Sequence, residues 1–329
     1  MKSKILIILF VFTTLIYSQA KFSEISSYPG SFSRMGFGAR GIGMGNAMGA
    51  VYTGNLVSYY NPALGVFQNE NAAQVGYSFL SLDRSLNFLG FTRNFKFSSK
   101  DSTKISYRAA GVSAGIINAG VSKIDGRDNQ GISTGDLSTS ENQFFIGLSN
   151  RFSEKFAIGV AVKLYYFKLY DKVNSTSMGF DIGAIYLFNK NLSAALIVSD
   201  INSKYKWDTT ELYGQEGNNE ENKFPVLKKL SVAYNFSEPK VLAVIELENT
   251  NADANFLRLG AEYNMYENLF LRAGVDKINL NNSDFPAKPS FGFSYTFGFE
   301  GWKLGFDYAY VYEPYSINNI HVLGLNFIL

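Results

Sequence analysis

The chain of 329 residues has no cysteine, one histidine and only two tryptophans. Without cysteine there can be no disulfide framework, thiolate metal site, cysteine nucleophile or lipid-anchored start. With one imidazole, any Ser-His-acid arrangement would have to use His321, which sits near the upper end of the last apolar segment and reads as a rim residue rather than a base. No residue pattern argues for an enzyme, and none asks for a cofactor or a metal. Charge of one sign is missing too. There are 30 Lys and Arg against 28 Asp and Glu, and setting aside Lys2 and Lys4 makes the two equal. A neutral chain offers no footprint for nucleic acid. Long apolar runs are absent, with one exception at the start. Lys2 and Lys4 precede an apolar stretch, Ile5 to Tyr17, and Ser18-Gln19-Ala20 places small residues at −3 and −1. Residues 1–20 therefore read as a secretory signal peptide cut after Ala20. Nothing after it is long enough for a transmembrane helix.

What the chain has in quantity is aromatic residues and glycine: 29 Phe, 21 Tyr and 30 Gly, against 7 Pro. In "PSFGFSYTFGF", Phe291, Phe293, Tyr295, Phe297 and Phe299 share one face of an extended strand, and Gly292, Ser294, Thr296 and Gly298 the other. "WKLGFDYAYVY" repeats the pattern, with Trp302 to Tyr312 alternating with Lys303, Gly305, Asp307 and Ala309. Soluble sheets alternate as well, but their polar faces are rich in Lys, Glu and Thr. Small residues with single charges suit a crowded lumen, and an apolar face ending in Trp and Tyr suits lipid.

From Ala72 the sequence divides into about fourteen such segments, near 72–82, 85–97, 104–118, 142–152, 155–170, 176–188, 191–200, 225–236, 239–248, 256–265, 268–277, 288–298, 301–313 and 317–329. Tight turns ("SEK", "NKN", "SEP", "YEN", "FEG") alternate with longer polar loops at 119–141, 171–175, 201–224, 249–255, 278–287 and 314–316. The expected fold is all-β: a transmembrane antiparallel up-and-down barrel of about fourteen strands over 71–329, with both termini on the periplasmic side. "HVLGLNFIL" closes it with Leu323, Leu325, Phe327 and Leu329 on one face.

The stretch before the strands, "SRMGFGARGIGMGNAMGAVYTGNLVSYYNPALGVF", spells G-x-G-x-x-G with Gly36, Gly38 and Gly41. A dinucleotide fingerprint needs a preceding strand, a following helix and an acidic residue about twenty positions on. The next acidic residue is Glu70, and no Gly-Lys-Ser/Thr is present. Glycine and alanine here serve to thread a compact segment through a crowded space, and Asn61-Pro62-Ala63 turns the chain before the first strand.

Alternation also sends charges inward. Glu246 and Glu248, Arg258 and Glu262, and Arg272 and Asp276 project to one side from three consecutive segments, as do Asp181 and Asp307 from their own. They read as an ion-pair network filling the lumen; a polar conduction path is the competing reading. The acid-rich loops Asp125–Asp136 and Asp208–Asn222 lack the spacing of an EF-hand and read as solvated loops.

The stretch "GARGIGMGNAMGAVYTGNLVSYYNPALG", together with Met178–Tyr186, Leu192–Asp208 and Phe256–Asp276, resembles FadL-like outer-membrane barrels, most of all their PorV/PorQ branch. The resemblance implies that residues 21–70 form a hatch at the periplasmic mouth, built on Gly36, Gly38, Gly41, Gly43, Gly45, Asn61, Pro62 and Ala63. It implies an outer-membrane location. It also implies a role as a type IX secretion accessory, with the translocon or cargo bearing a C-terminal signal as partner. The alternative it carries is a transporter of long-chain fatty acids or other hydrophobic molecules. The 201–224 loop is longer and more acidic than the branch leads one to expect, a place for recognition particular to this chain.

Overall fold

The structure is a computed structural model that describes residues 24–54, 58–97 and 109–329. The leader, 1–20, and the start of the third expected strand lie outside these residues. Fourteen antiparallel strands close one barrel: β1 (Ala72–Phe79), β2 (Arg84–Lys96), β3 (Ala109–Arg127), β4 (Ser133–Arg151), β5 (Phe156–Tyr170), β6 (Val173–Leu187), β7 (Leu192–Ile201), β10 (Leu227–Phe236), β11 (Val241–Thr250), β12 (Asn255–Tyr266), β13 (Leu269–Asn279), β14 (Lys288–Phe299), β15 (Trp302–Val311) and β16 (Ile320–Ile328). A separate hairpin, β8 (Lys204–Asp208) and β9 (Asn219–Lys223), rises between β7 and β10. Neighbours in the chain pair throughout, and the seam is closed by β1 on β16, from Ala72 opposite Ile328 to Phe79 opposite His321. Asn71 and Leu329 exchange two backbone hydrogen bonds just beyond it, at 3.1 and 2.9 Å. Both ends of the barrel strand series therefore lie at the same end of the cylinder, here the near end.

The side-chain period decides which face is which. Along β14, Ser290 and Ser294 are buried while Phe291, Phe293, Tyr295, Phe297 and Phe299 are exposed, Phe291 to 58%. The same holds for Phe144, Ile146 and Leu148 on β4 and Val160, Val162 and Leu164 on β5. On the last strand Leu323 and Leu325 face out and Val322 faces in. An apolar belt this continuous cannot be left in water, and a closed ladder leaves no strand edge unsatisfied in lipid. The fold is a transmembrane β-barrel.

Three connections differ from expectation. Residues 119–141 were expected to form a polar loop, yet β3 and β4 continue as a ribbon to Arg127 and from Ser133. Past the belt both faces of this ribbon are exposed and carry only scattered apolar residues such as Ile124 and Leu137, so its strands have no hydrophobic period; Asp128 Oδ1 accepts from Gln130 and Ile132 to close its turn, at 2.9 Å each. The 171–175 loop shrinks to Asp171-Lys172, with Lys172 in the left-handed region at φ 66°. The 201–224 loop folds into β8 and β9 with a helical turn, α2 (Thr210–Tyr213), between them.

Candidate functional site

The barrel interior is filled from residues 24–54 and 58–71, in two unlike parts. The first is the 3₁₀ turn Pro62–Phe67, which packs on β2 to β6. Asn61 caps it: its Oδ1 accepts from the Ala63 amide at 2.9 Å, and its Nδ2 donates to the Gly49 carbonyl at 2.8 Å. Asparagine supplies the cap acceptor, and proline at the next position gives up an amide that had no partner. The wall meets this turn with glycine. A Cβ at Gly159 would collide with the Pro62 carbonyl, and one at Gly183 with the Asn61 side chain.

The second part is a single helical turn, α1 (Ala39–Gly43), followed by Met44 to Ala50; α1 packs on β13 to β16. Met44 and Gly45 lie on Gly260 and Gly274, and Gly43 faces Gly292. Gly41 packs under the Tyr60 ring, whose hydroxyl donates to Asn46 Oδ1 at 2.5 Å and accepts from the Phe37 amide at 3.0 Å. Burial pushes the Tyr60 phenol well up, so it stays a donor. Gly36, at φ 91°, and Gly38, at φ 73°, set the path into this turn.

All eight inward charges picked from the alternation are buried. Seven join the segment or one another across β11 to β15. Arg258 donates from Nε to Asp276 at 2.6 Å, reaches both oxygens of Glu248 at 2.9 and 3.1 Å, and lies 3.4 Å from Glu246. Asp276 also accepts from Asn46 at 2.9 Å, and Glu246 from the Gly49 amide at 3.0 Å. Glu262 takes a two-pronged contact from Arg40, at 2.7 and 2.8 Å, and a third bond from Arg272 at 2.6 Å. Arg272 donates onward to Ser294 at 2.7 Å and lies 3.9 Å from Asp307. Charge-assisted, forked bonds of this kind fix geometry as well as energy. Asp181 stands apart, with Lys163 at 2.7 Å; Lys163 reaches Asp200 at 2.9 Å, and Tyr165 donates to Asp200 at 2.8 Å.

Arg40, Asn46, Lys163 and Asp200 are absent from the sequence-derived set. Lys163 could have been found there, since it shares the inward parity of Ala161 and Tyr165. Arg40 and Asn46 sit in a segment without a strand period, so nothing marked them. The loop carboxylates have local partners: Asp125 pairs with Arg127, Asp208 caps Thr210, and Glu221 holds Lys204.

At the far end β8 folds back onto β6. The Lys206 amide donates to Ser175 at 2.7 Å, Ser177 donates to the Lys204 carbonyl, and Tyr205 donates to Glu141 at 2.7 Å. Tyr205 and Phe224 are buried and pack with Tyr165, Phe167 and Trp207. Phe32 of the N-terminal segment stands edge-on to Tyr165, and Gly30 lies beneath the Phe224 ring. One aromatic cluster thus joins the far-end hairpin to the segment inside the barrel.

No protein-family model matches the chain, and no curated protein matches it either. Solved structures do. The Pseudomonas putida toluene transporter TodX superposes with a TM-score of 0.56 at 14% identity, covering 89% of this chain and 96% of that one. A Pseudomonas aeruginosa FadL homologue gives 0.57 at 12%, covering 88% and 97%. A TodX deltaS2S3 mutant, described as a monoaromatic hydrocarbon channel, gives 0.54 at 16%, covering 89% and 97%. The barrel is FadL-like in fold. The similarity extends over nearly all of each neighbour.

Proposed function

We propose that this protein is an outer-membrane channel for hydrophobic small molecules, with residues 21–70 as its hatch. The near end then faces the periplasm and the far end the outside, and the chain is not an enzyme. The observation that carries the reading is that the filling of the barrel belongs to no strand of the wall. It is held by side-chain bonds and close glycine contacts, which can be released without breaking the sheet. In this reading Gly36, Gly38, Gly41, Gly43, Gly45 and the Asn61-Pro62-Ala63 turn are the body of the hatch. Glu246, Glu248, Arg258, Glu262, Arg272, Asp276 and Asp307 hold it shut, and Asp181 supports the opposite wall. The TodX and FadL-homologue neighbours favour a hydrophobic molecule as the solute.

The test uses the absence of native cysteine. A Cβ built at Gly324 lies 3.6 Å from the Ala39 Cβ, within the range of a disulfide. The double variant Ala39→Cys/Gly324→Cys should lock the hatch when oxidised and free it when reduced. Uptake of toluene or oleate into cells expressing it is expected to stop on oxidation and return with a reductant. Equal uptake in both states would rule the moving hatch out.

A second reading, the PorV/PorQ-like secretion accessory, draws on the N-terminal motif. It is favoured by the charged lumen and by the large far-end surface of the β3–β4 ribbon and the β8–β9 hairpin. As an accessory the protein would work with its barrel closed. The oxidised double variant should then still support export of cargo with C-terminal signals, whereas deletion should strand that cargo in the periplasm.

A further inference from the structure

The outer face of the wall changes character around its circumference. On β14 and β15 the outward positions carry rings, such as Phe291 beside Tyr310 and Phe293 beside Tyr308. In the far half of β7, β10 and β11 they carry Leu196, Leu230 and Leu247, all exposed. Leucine stands less far from the wall than Phe or Tyr, and a groove of about 690 Å³ crosses these strands to Leu280, just past β13. That size falls within the roughly 300–1,000 Å³ of ligand pockets.

Leu280 faces out because of a β-bulge. Leu257 pairs with Ile278 and Leu259 with Val275, so Asp276 and Lys277 together oppose the single residue Arg258, and Lys277 takes the left-handed region at φ 55°. Regular alternation from Arg272 and Asp276 would carry Leu280 inward. The extra residue resets the parity, and Leu280 stands 56% exposed beside Asn255, whose carbonyl accepts from its amide at 2.8 Å.

At the far edge of the groove polar groups replace the leucines. Lys228 pairs with Asn249, and Asn249 with Asn255. Asn249 donates to Asn255 and Asn255 to Asn281, at 2.8 Å each, and Asn281 donates to the Asp253 carbonyl at 3.0 Å. Each amide nitrogen in this row keeps a second N–H. Glu248 and Lys229 border the groove from the inner face, where Arg258 reaches Glu248 at 2.9 Å and Lys229 lies 3.6 Å from it. Lys228 is the one charged lining residue on the outer side, and among the described residues its ammonium makes no hydrogen bond or ion pair.

We propose that this groove holds one phosphorylated, acylated glycolipid of the outer leaflet. Its phosphate sits on Lys228, its sugar on the asparagine row and an acyl chain along the leucines. The row crosses three strand spacings, about 14 Å in all, which is too wide for a carboxylate or a lone phosphate. Amides that donate and accept match sugar hydroxyls, and an ammonium matches phosphate. A second row, Asn87, Asn118 and Asn142 on β2 to β4, is bonded at 3.2 and 2.8 Å, but its line runs to Tyr77 and Tyr166 and has no cation. It serves as the control. The inference needs the far end to face outward, as in the channel reading, and does not need a moving hatch.

The experiment is native mass spectrometry of the full mature chain in non-ionic detergent, titrated with hexa-acylated diphosphoryl lipid A. One bound lipid per chain is expected. Lys228→Gln should weaken binding about tenfold through loss of a charge-assisted bond, and Leu247→Phe, which sets a ring in the groove, should weaken it as well. Both positions are exposed on the outer face, so these variants should fold like the parent. Asn118→Ala, on the control row, should bind like the parent. The oxidised Ala39→Cys/Gly324→Cys protein should too, so that failure of the uptake lock with lipid binding intact removes the channel reading alone. A loss under about threefold in Lys228→Gln, or no lipid A bound, would overturn the proposal. Dioleoyl phosphatidylglycerol binding as tightly would overturn the sugar assignment, and glucosamine 1-phosphate binding as tightly would overturn the role of the leucines.

Discussion

Along β3 to β6 the N-terminal segment meets the wall chiefly through close glycine contacts, whereas along β11 to β15 buried carboxylates are added to contacts of the same kind at Gly260, Gly274 and Gly292. On the first side Pro62 rests against Gly159, Asn61 against Gly183 and Gly65 against Gly111. On the second, Glu262 grips Arg40, Asp276 grips Asn46 and Glu246 grips the Gly49 amide. Steric fit of the first kind is indifferent to charge state. The second depends on every partner being present, because a buried charge that loses its counter-ion has no water to replace it. A hatch built this way would pivot on its glycine side and let go on its charged side.

The sharpest way to break the contrast is Arg258→Met. It strips one cation from Glu246, Glu248 and Asp276 together, which should cost about 3–5 kcal/mol. Thermal unfolding in detergent should show the loss, and limited proteolysis should cut the N-terminal segment while the barrel persists. Restoring balance with Glu248→Gln in the same chain should recover part of it. If Arg258→Met unfolds no earlier than the parent, the charged side does not hold the segment.

Next in size is Gly159→Val, which tests the other side. The new side chain must push against the Pro62 carbonyl, and overpacking of this kind costs about 1–3 kcal/mol. Here the 3₁₀ turn, not α1, should become the protease-sensitive site. Raised salt should leave that pattern unchanged, while it should lessen the defect of Arg258→Met by screening the repulsion among Glu246, Glu248 and Asp276.

The same contrast explains what could be read from the chain beforehand. Strands such as β14 and β15 were legible because lipid on one side and a crowded lumen on the other impose a strict period of two on Phe291 to Phe299. The charges of β11 to β13 followed from the same parity. Parity fails where that constraint lapses. Above the belt the β3–β4 ribbon is wet on both faces, so its polar strands passed for a loop. At Asp276-Lys277 the bulge inserts one residue, and Lys277 carried the parity of a lipid-facing position while lying inside. Within 24–71 no repeat operates at all, so Arg40 and Asn46 became visible only through their partners on the wall.

Third is Asn61→Ala, which removes the cap acceptor and the bond to Gly49 at once. A lost cap costs about 1 kcal/mol, and a second lost hydrogen bond adds about as much. Because Gly49 also binds Glu246, this variant sits between the two sides. It should lower the unfolding temperature less than Arg258→Met, and combining the two should give less than the sum, since both loosen the stretch around Gly49.

The smallest effect belongs to Tyr205→Phe, which asks whether the far-end hairpin follows the first side or the second. The ring and its contacts with Phe167, Trp207 and Phe224 remain, and only the bond to Glu141 is lost. One such bond is worth about 1 kcal/mol, so the hairpin should stay seated. Tyr205→Ala, by contrast, removes the ring and should release it. Trp207 lies in the same cluster, and the other tryptophan, Trp302, starts β15 at the near end. In a Trp302→Phe background, quenching of Trp207 by acrylamide therefore reads the hairpin alone. If Tyr205→Phe exposed Trp207 as fully as Tyr205→Ala does, the hairpin would be held by charge rather than by packing, and would group with the Arg258 side of the seam.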